Sequence, residues 1–131
     1  MVSPRPIRVV AAVIEHGGRY LITQRRATAV LPLLWEFPGG RVEEGETDAA
    51  ALAREVRHRL GVGVQAGKLM SFVSHPYERY VVELYLYEGK LVEGEPSAVN
   101  VSDFRWVASE DFEAYRFTPA DEASMSKLLG L

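Results

Sequence analysis

The chain has 131 residues, with 15 Lys plus Arg against 18 Asp plus Glu and a formal net charge of -3. About 47% of the residues are apolar and 25% charged, enough for one globular core and a poor fit to a disordered, collagen-like or coiled-coil chain. The slightly acidic balance gives no general attraction to a nucleic-acid backbone or an anionic membrane, so neither a nucleic-acid polymer nor a membrane is the expected partner, though the balance leaves room for a local basic cleft.

Cysteine is absent, which excludes disulfides, thiolate catalysis and cysteine metal sites and fits a reducing compartment. The opening Met1-Val2-Ser3-Pro4-Arg5-Pro6 lacks the apolar core of a signal peptide, and no run of roughly 18 apolar residues occurs. A cytoplasmic protein is expected.

Ile7 to Ile14, rich in valine and isoleucine and ending at His16-Gly17-Gly18, predicts a buried strand entering a turn. Arg19 to Gln24 reads as its hairpin partner. A polar, proline-bearing stretch runs to Phe37, and Pro38-Gly39-Gly40 predicts a loop, because proline fixes φ while glycine accepts positive φ. From Thr47 to Leu60, Ala49, Ala53, Val56 and Leu60 recur at intervals of four, three and four and predict a helix with one apolar stripe. Thr47 is the expected N-cap and Gly61 the C-terminal glycine. Asp48 suits the helix's positive start and Arg57-His58-Arg59 its negative end.

Lys68 to Ser74, Tyr80 to Tyr87 and Phe104 to Val107 read as strands, expected to share a sheet. Ser109-Glu110-Asp111 starts a short helix and Pro119-Ala120-Asp121 a terminal one, with Met125, Leu128 and Leu129 packing inward. His16 reads as a turn residue and His75-Pro76 as a loop. Without a linker, low-complexity segment or repeat, residues 1–131 read as one mixed α/β domain.

Between Gly39 and Val62 the chain reads GGRVEEGETDAAALAREVRHRLGV and resembles the Nudix box: Gly, five residues, Glu, seven residues, Arg-Glu-apolar-any-Glu-Glu-any-Gly-apolar. Gly40, Glu46, Arg54, Glu55, Val56, Gly61 and Val62 fall on the pattern, while His58 and Arg59 replace its paired glutamates. Leu34-Trp35-Glu36-Phe37-Pro38, Glu93-Gly94-Glu95-Pro96 and Phe117-Thr118-Pro119-Ala120-Asp121 extend the resemblance to MutT-like members over nearly the whole chain. It implies an α/β/α sandwich with a mixed sheet, and a nucleoside di- or triphosphate pyrophosphohydrolase. The loop and helix of its box would hold magnesium or manganese against a nucleotide or another nucleoside-diphosphate-linked molecule.

Glutamates at helix positions i, i+3 and i+4 gather hard oxygens around a hard cation, which neutralises phosphate, acidifies a bound water and orients attack on phosphorus. Here positions 55, 58 and 59 offer one carboxylate, Glu55; Arg59 has no lone pair for a metal and His58 is a nitrogen ligand poorly matched to magnesium. The fourth carboxylate of MutT-like members falls on Asn100. Glu43, Glu44, Glu46 and Asp103 are the nearby acids that could compensate, without the helical spacing. The expectation is a degenerate metal site, with hydrolysis weak, altered or lost. The alternative is a non-catalytic nucleotide-binding or protein-interaction module.

Arg57-His58-Arg59 is a solvated basic helix end, a phosphate contact through Arg59 and protonated His58, or an unusual His58 metal site. Glu55 is either a catalytic carboxylate or the partner of Arg54 and Arg59 in a structural network. Resemblance implies that Glu46 and Arg54 brace loop against helix, that Gly40 lends its carbonyl to the metal, that Arg25 contacts phosphate and that Asp121 reads the base edge. Arg25 also reads as an ordinary exposed arginine, and Asp121 as a helix N-terminal acid. Phe37 and Tyr80 either line the base pocket or fill the core.

Overall fold

The computed structural model describes residues 6–129. Residues 1–5 of the opening stretch, and the Leu129 side chain expected to pack inward, lie outside what is described. The second half of strand β1 (Pro6–Val13) is buried on both faces: Val10 and Ala12, with Ile14 just past its end, join one apolar core, Ala11 and Val13 the other. A strand covered on both sides belongs in the middle of a layered fold. It lies parallel to β7 (Val81–Glu93) and antiparallel to β5 (Gly39–Arg41), and β7 pairs antiparallel with β6 (Gly63–Pro76), giving a mixed sheet in the order β5-β1-β7-β6.

The second sheet is built on β3 (Arg19–Gln24), which pairs with β2 (Glu15–His16), β4 (Trp35–Glu36) and β8 (Asp103–Val107). The expected hairpin between Ile7–Ile14 and Arg19–Gln24 is therefore not formed. Backbone pairing with β3 begins only at Ile14, whose carbonyl accepts from Leu21 N at 3.0 Å, so one apolar run serves two sheets. The three later strands do not share a sheet either, since β8 joins β3 while β6 and β7 extend well past their expected ends. His16 and His75 lie in β2 and β6, not in a turn and a loop.

Helix α1 (Asp48–Leu60) starts where Thr47 Oγ1 accepts from Ala50 N at 3.2 Å and stops where Gly61 turns left-handed at φ +71°. Its buried face is Ala51, Leu52, Val56 and Leu60; Ala49 is exposed and Ala53 only half-buried, so the expected stripe is right in its second half alone. Burying each of the larger three stabilises by about 1.5–3 kcal/mol. Helix α2 (Pro119–Leu129) covers β6 and β7 from the other side, after a 3-10 turn (Ser109–Ala114), with Met125 buried and Leu128 packed against that core. Two cores, one under each helix, make the α/β/α sandwich. No described helix is long and apolar enough to cross a membrane.

Gly39-Gly40 is strand, not loop, and neither residue has positive φ. The requirement is close approach. A Cβ on Gly39 would sit 2.0 Å from the Val10 carbonyl oxygen, and one on Gly40 would sit 2.1 Å from Glu55 Oε2. Beside it, Trp35 accepts from Thr118 N at 2.9 Å and donates to Arg116 O at 2.8 Å, which draws the start of α2 against β4 and closes one wall of a cleft.

Candidate functional site

The cleft has a volume of about 450 Å³ and its lining includes Arg25, Glu36, Phe37, Gly40, Arg41, Arg59, Tyr77, Tyr80, Thr118 and Asp121. Helical spacing brings Glu55 and Arg59 together at its edge, with Arg59 Nε 3.1 Å from Glu55 Oε2. The other Glu55 oxygen pairs with Arg54 Nη1, and Arg54 forks onto Glu46 at 2.8 and 2.9 Å. Arg59 Nη1 also reaches Glu36 Oε1 at 3.0 Å, and Glu36 holds Arg25 Nη1 at 3.2 Å through both oxygens. The result is an alternating ladder, Glu46–Arg54–Glu55–Arg59–Glu36–Arg25, with three charges of each sign.

Glu46 is the ladder's outer end. Hydrogen bonds from Arg54 and then from Glu43 N hold its carboxyl down at about 2, so it stays ionised and fixes the turn before α1. Arg54 is tied further by the Arg41 carbonyl at 2.9 Å. Arg25 Nε donates to Val30 O at 2.7 Å, which fastens the 26–34 loop, where Leu31 and Leu33 take left-handed φ of 57° and 61°, to the cleft.

At the other end the carboxylate has no cation hydrogen-bonded to it. Asp121, 6% exposed, accepts from Phe37 N at 3.0 Å and is bonded to the Thr118 hydroxyl at 2.5 Å, while its own N–H donates to Thr118 Oγ1 at 3.2 Å. Burial, then the nearby charge of Glu36, pushes its carboxyl up to about 7. Asp121 is thus a helix N-terminal acid and a cleft residue at once. Phe37 is 2% exposed and packs on Phe112 and Phe117 while contributing to the lining, so it is a core residue that also borders the cleft. Tyr80 is half-buried and stacked on Tyr77 at 5.2 Å, and the Tyr77 hydroxyl accepts from Ala120 N at 3.1 Å.

Several expected residues sit elsewhere. His58 is exposed and outside the lining. Asn100 does not face Glu55: its side-chain amide donates to the His58 carbonyl at 2.7 Å and its backbone N–H to Arg59 O at 3.0 Å, capping the end of α1. Asp103 accepts from Phe104 N and Arg105, and Glu43 and Glu44 are exposed. Glu36, Arg41 and Tyr77 were not singled out as site residues. The available signal for Glu36 was an acid between two aromatics, Trp35 and Phe37, in a short run otherwise bound for the core.

A divalent ion needs several oxygen ligands converging on one point. Among the described residues no group of three or more His, Asp and Glu is placed to hold one, and both oxygens of Glu55 are on guanidiniums. The donor set does not fit magnesium or manganese. It fits the planar fork of Arg59.

A mixed sheet between two helices, with the box strand and helix at the mouth of a cleft, defines an α/β/α sandwich of the Nudix type. The chain belongs to the NUDIX domain family, whose model matches residues 9–127. It is 31% identical over 125 residues to the CTP pyrophosphohydrolase of Escherichia coli, covering 95% of this chain and 93% of that one. It is 27% identical over 125 residues to the 8-oxo-dGTP diphosphatase of the same organism, covering 95% and 97%. The structure of a MutT NUDIX hydrolase from Burkholderia pseudomallei matches with a TM-score of 0.77 at 27% identity, over 94% of this chain and 98% of that chain. The MutT protein of Methanosarcina mazei shares the fold, with a TM-score of 0.87 at 21% identity over 99% and 97%. Nudix hydrolases generally use divalent metal ions.

Proposed function

We propose that this chain is a MutT-like nucleotide-binding protein whose pyrophosphohydrolase activity is weak, altered or lost. The observation that carries the reading is Glu55 held between Arg54 and Arg59, with Arg59 also on Glu36, where the box pattern has metal-binding glutamates. Arg25 and Arg59 face the phosphate end of the cleft; Phe37, Tyr80 and Asp121 form the base end; Arg54 and Glu46 brace the loop before α1. Similarity to a CTP pyrophosphohydrolase and an 8-oxo-dGTP diphosphatase supports a nucleotide as ligand.

For hydrolysis, Glu55 would serve as base toward an attacking water, yet both of its oxygens are engaged by cations. Loss of metal-held charge stabilisation removes several kcal/mol from the transition state, at 1.36 kcal/mol per tenfold in rate. The test is turnover of a panel of nucleoside di- and triphosphates with magnesium or manganese. Slow or undetectable turnover is expected. Robust metal-dependent turnover abolished by Glu55→Gln would overturn the reading and restore an ordinary hydrolase.

A further inference from the structure

A second concavity opens toward the far end of the strands that line the cleft. Val9 of β1 and its partner Leu84 of β7 line the cleft; Val13 and its partner Glu88, four residues further along the same pair, line a pocket of about 550 Å³ that shares no residue with it. Val13, Met70 and the Tyr20 ring give this pocket its apolar lining. Helix α2 reaches β6 at Ser71 and Phe72, through Ser124 and Lys127, and none of its residues lines the pocket. This stretch of the sheet is therefore left without a helix over it.

Its carboxylates come from both sheets. Glu15, in β2, pairs across the ladder with Tyr20, and the Tyr20 hydroxyl is held above its ordinary range by burial and then by the charge of Glu15, which sets that carboxylate beside the phenol. Glu88, in β7, lies where β6 bulges: from Ala66 to Ser71 the chain takes five steps on β6 against three on β7, and Glu88 has no partner on that side. The bulge brings Gly67 against it, so close that a Cβ there would sit 3.0 Å from Glu88 Oε2. Glu15, Glu88 and Lys90, the one cation in the lining, are all exposed, and none of the three forms an ion pair among the described residues. Two carboxylates against one ammonium leave the lining a formal charge of -1.

We propose that this pocket binds a small aliphatic ammonium ion, with Glu15, Glu88 and the Tyr20 hydroxyl around its head and Val13 and Met70 along its chain. The site lies outside the nucleotide cleft and does not rest on the reading of it. The charge calls for a cation, and the lining decides which kind. A hard divalent ion needs more oxygens than two carboxylates on opposite walls offer, and no described group of three acids is placed to hold one. An ammonium presents three N–H donors, which two carboxylates and a phenol oxygen can accept, and it is attracted to the face of an aromatic ring. Its alkyl chain gains from covering the apolar lining. Lys90 carries charge of the same sign as the ligand and opposes it.

Titrations followed by amide NMR read the site directly, at physiological salt, with n-butylammonium chloride as the probe, n-butanol as its neutral counterpart and magnesium chloride as the hard cation. Saturable shifts are expected at Ala66, Gly67 and Gly89, which line the pocket, and none at Gly39 or Gly40 in the cleft. The ammonium should bind at least about tenfold tighter than the alcohol, the difference a charged hydrogen-bonding head makes. Glu15→Gln and Glu88→Gln, both at exposed side chains, should fold normally and each weaken the ammonium by about fivefold or more. Lys90→Ala should tighten it, and Glu95→Gln, at an exposed glutamate outside the pocket, should change nothing. Equal affinity for the alcohol, shifts that never saturate, an equal loss in Glu95→Gln, or the same shifts with magnesium would each overturn the proposal and leave the nucleotide reading untouched.

Discussion

The two ends of the cleft hold carboxylates in opposite circumstances. At one end Glu36 and Glu55 are each gripped by two guanidiniums; at the other Asp121 has an amide N–H and a hydroxyl but no cation within its hydrogen-bond set. The fold buries Asp121 more deeply than either glutamate side chain, which are 13% and 14% exposed. Asp121, buried where only dipoles meet its carboxyl, has its pKa pushed up, first by burial and then by the nearby charge of Glu36. One end is built for charge, the other for hydrogen bonding, and a nucleotide has the same asymmetry.

The largest expected effect comes from the end without cations. Asp121 has a folded-state pKa raised to about 7 by burial and by Glu36, above its unfolded value. Its protonation therefore stabilises the fold fully below the unfolded pKa, and that contribution is lost as pH rises through about 7, at up to about 1.4 kcal/mol per pH unit. Urea melts from pH 4 to 8 should show this slope in the wild type, and Asp121→Asn should flatten it. An unchanged slope in the variant would remove the contrast between the two ends.

The charged end is weakened by Arg59→Ala, which leaves Glu36 on Arg25 alone and Glu55 on Arg54 alone and should cost about 1–3 kcal/mol in metal-free buffer. Manganese should restore part of that loss, because the guanidinium that lies between Glu36 and Glu55 is then gone. The combined change His58→Glu with Arg59→Glu should go further, giving a manganese-dependent rise in melting temperature and a gain in triphosphate hydrolysis; a ligand at 100 times its Kd stabilises by about 2.7 kcal/mol. If the double variant folds but gains neither, the exposed position of residue 58 and the capping role of Asn100 lie too far from the family geometry for carboxylates alone to rebuild the site.

How much of this was legible in the sequence depended on the range of the interaction. The start and end of α1 were readable from Thr47 and Gly61, because caps act within one turn. Gly39 and Gly40 were readable as special positions, but for the wrong reason. What demands glycine there is the approach of Val10 and Glu55, contacts between residues many positions apart. For the same reason the run Ile7 to Ile14 shows a strand and not its partners, and the β1–β3 hairpin was a wrong expectation. Glu36 and Arg41 acquire meaning only when β4 and β5 are set beside α1; neither has a local signature.

The smallest effect is the control that sharpens the comparison. Arg8 and Asp48 form a bidentate pair like that of Arg54 and Glu46, at 2.8 and 2.7 Å, with Arg8 lying 3.8 Å over the Tyr85 ring and Tyr87 bonded to Asp48. None of the four lines the cleft, and the Arg8 side chain is 44% exposed. Arg8→Ala should therefore cost about 1 kcal/mol or less, with salt weakening the pair in the wild type. Asp48 is held below the ordinary aspartate range by the Arg8 hydrogen bond, so the pair's contribution is present above the unfolded pKa and is lost as pH falls through the folded one. The difference between wild type and Arg8→Ala should shrink in acid, opposite in sign to the Asp121 slope, and neither manganese nor a nucleotide should change it. A manganese response in Arg8→Ala as large as that in Arg59→Ala would mean that any exposed arginine–carboxylate pair behaves this way, and that the cleft confers nothing on Arg59.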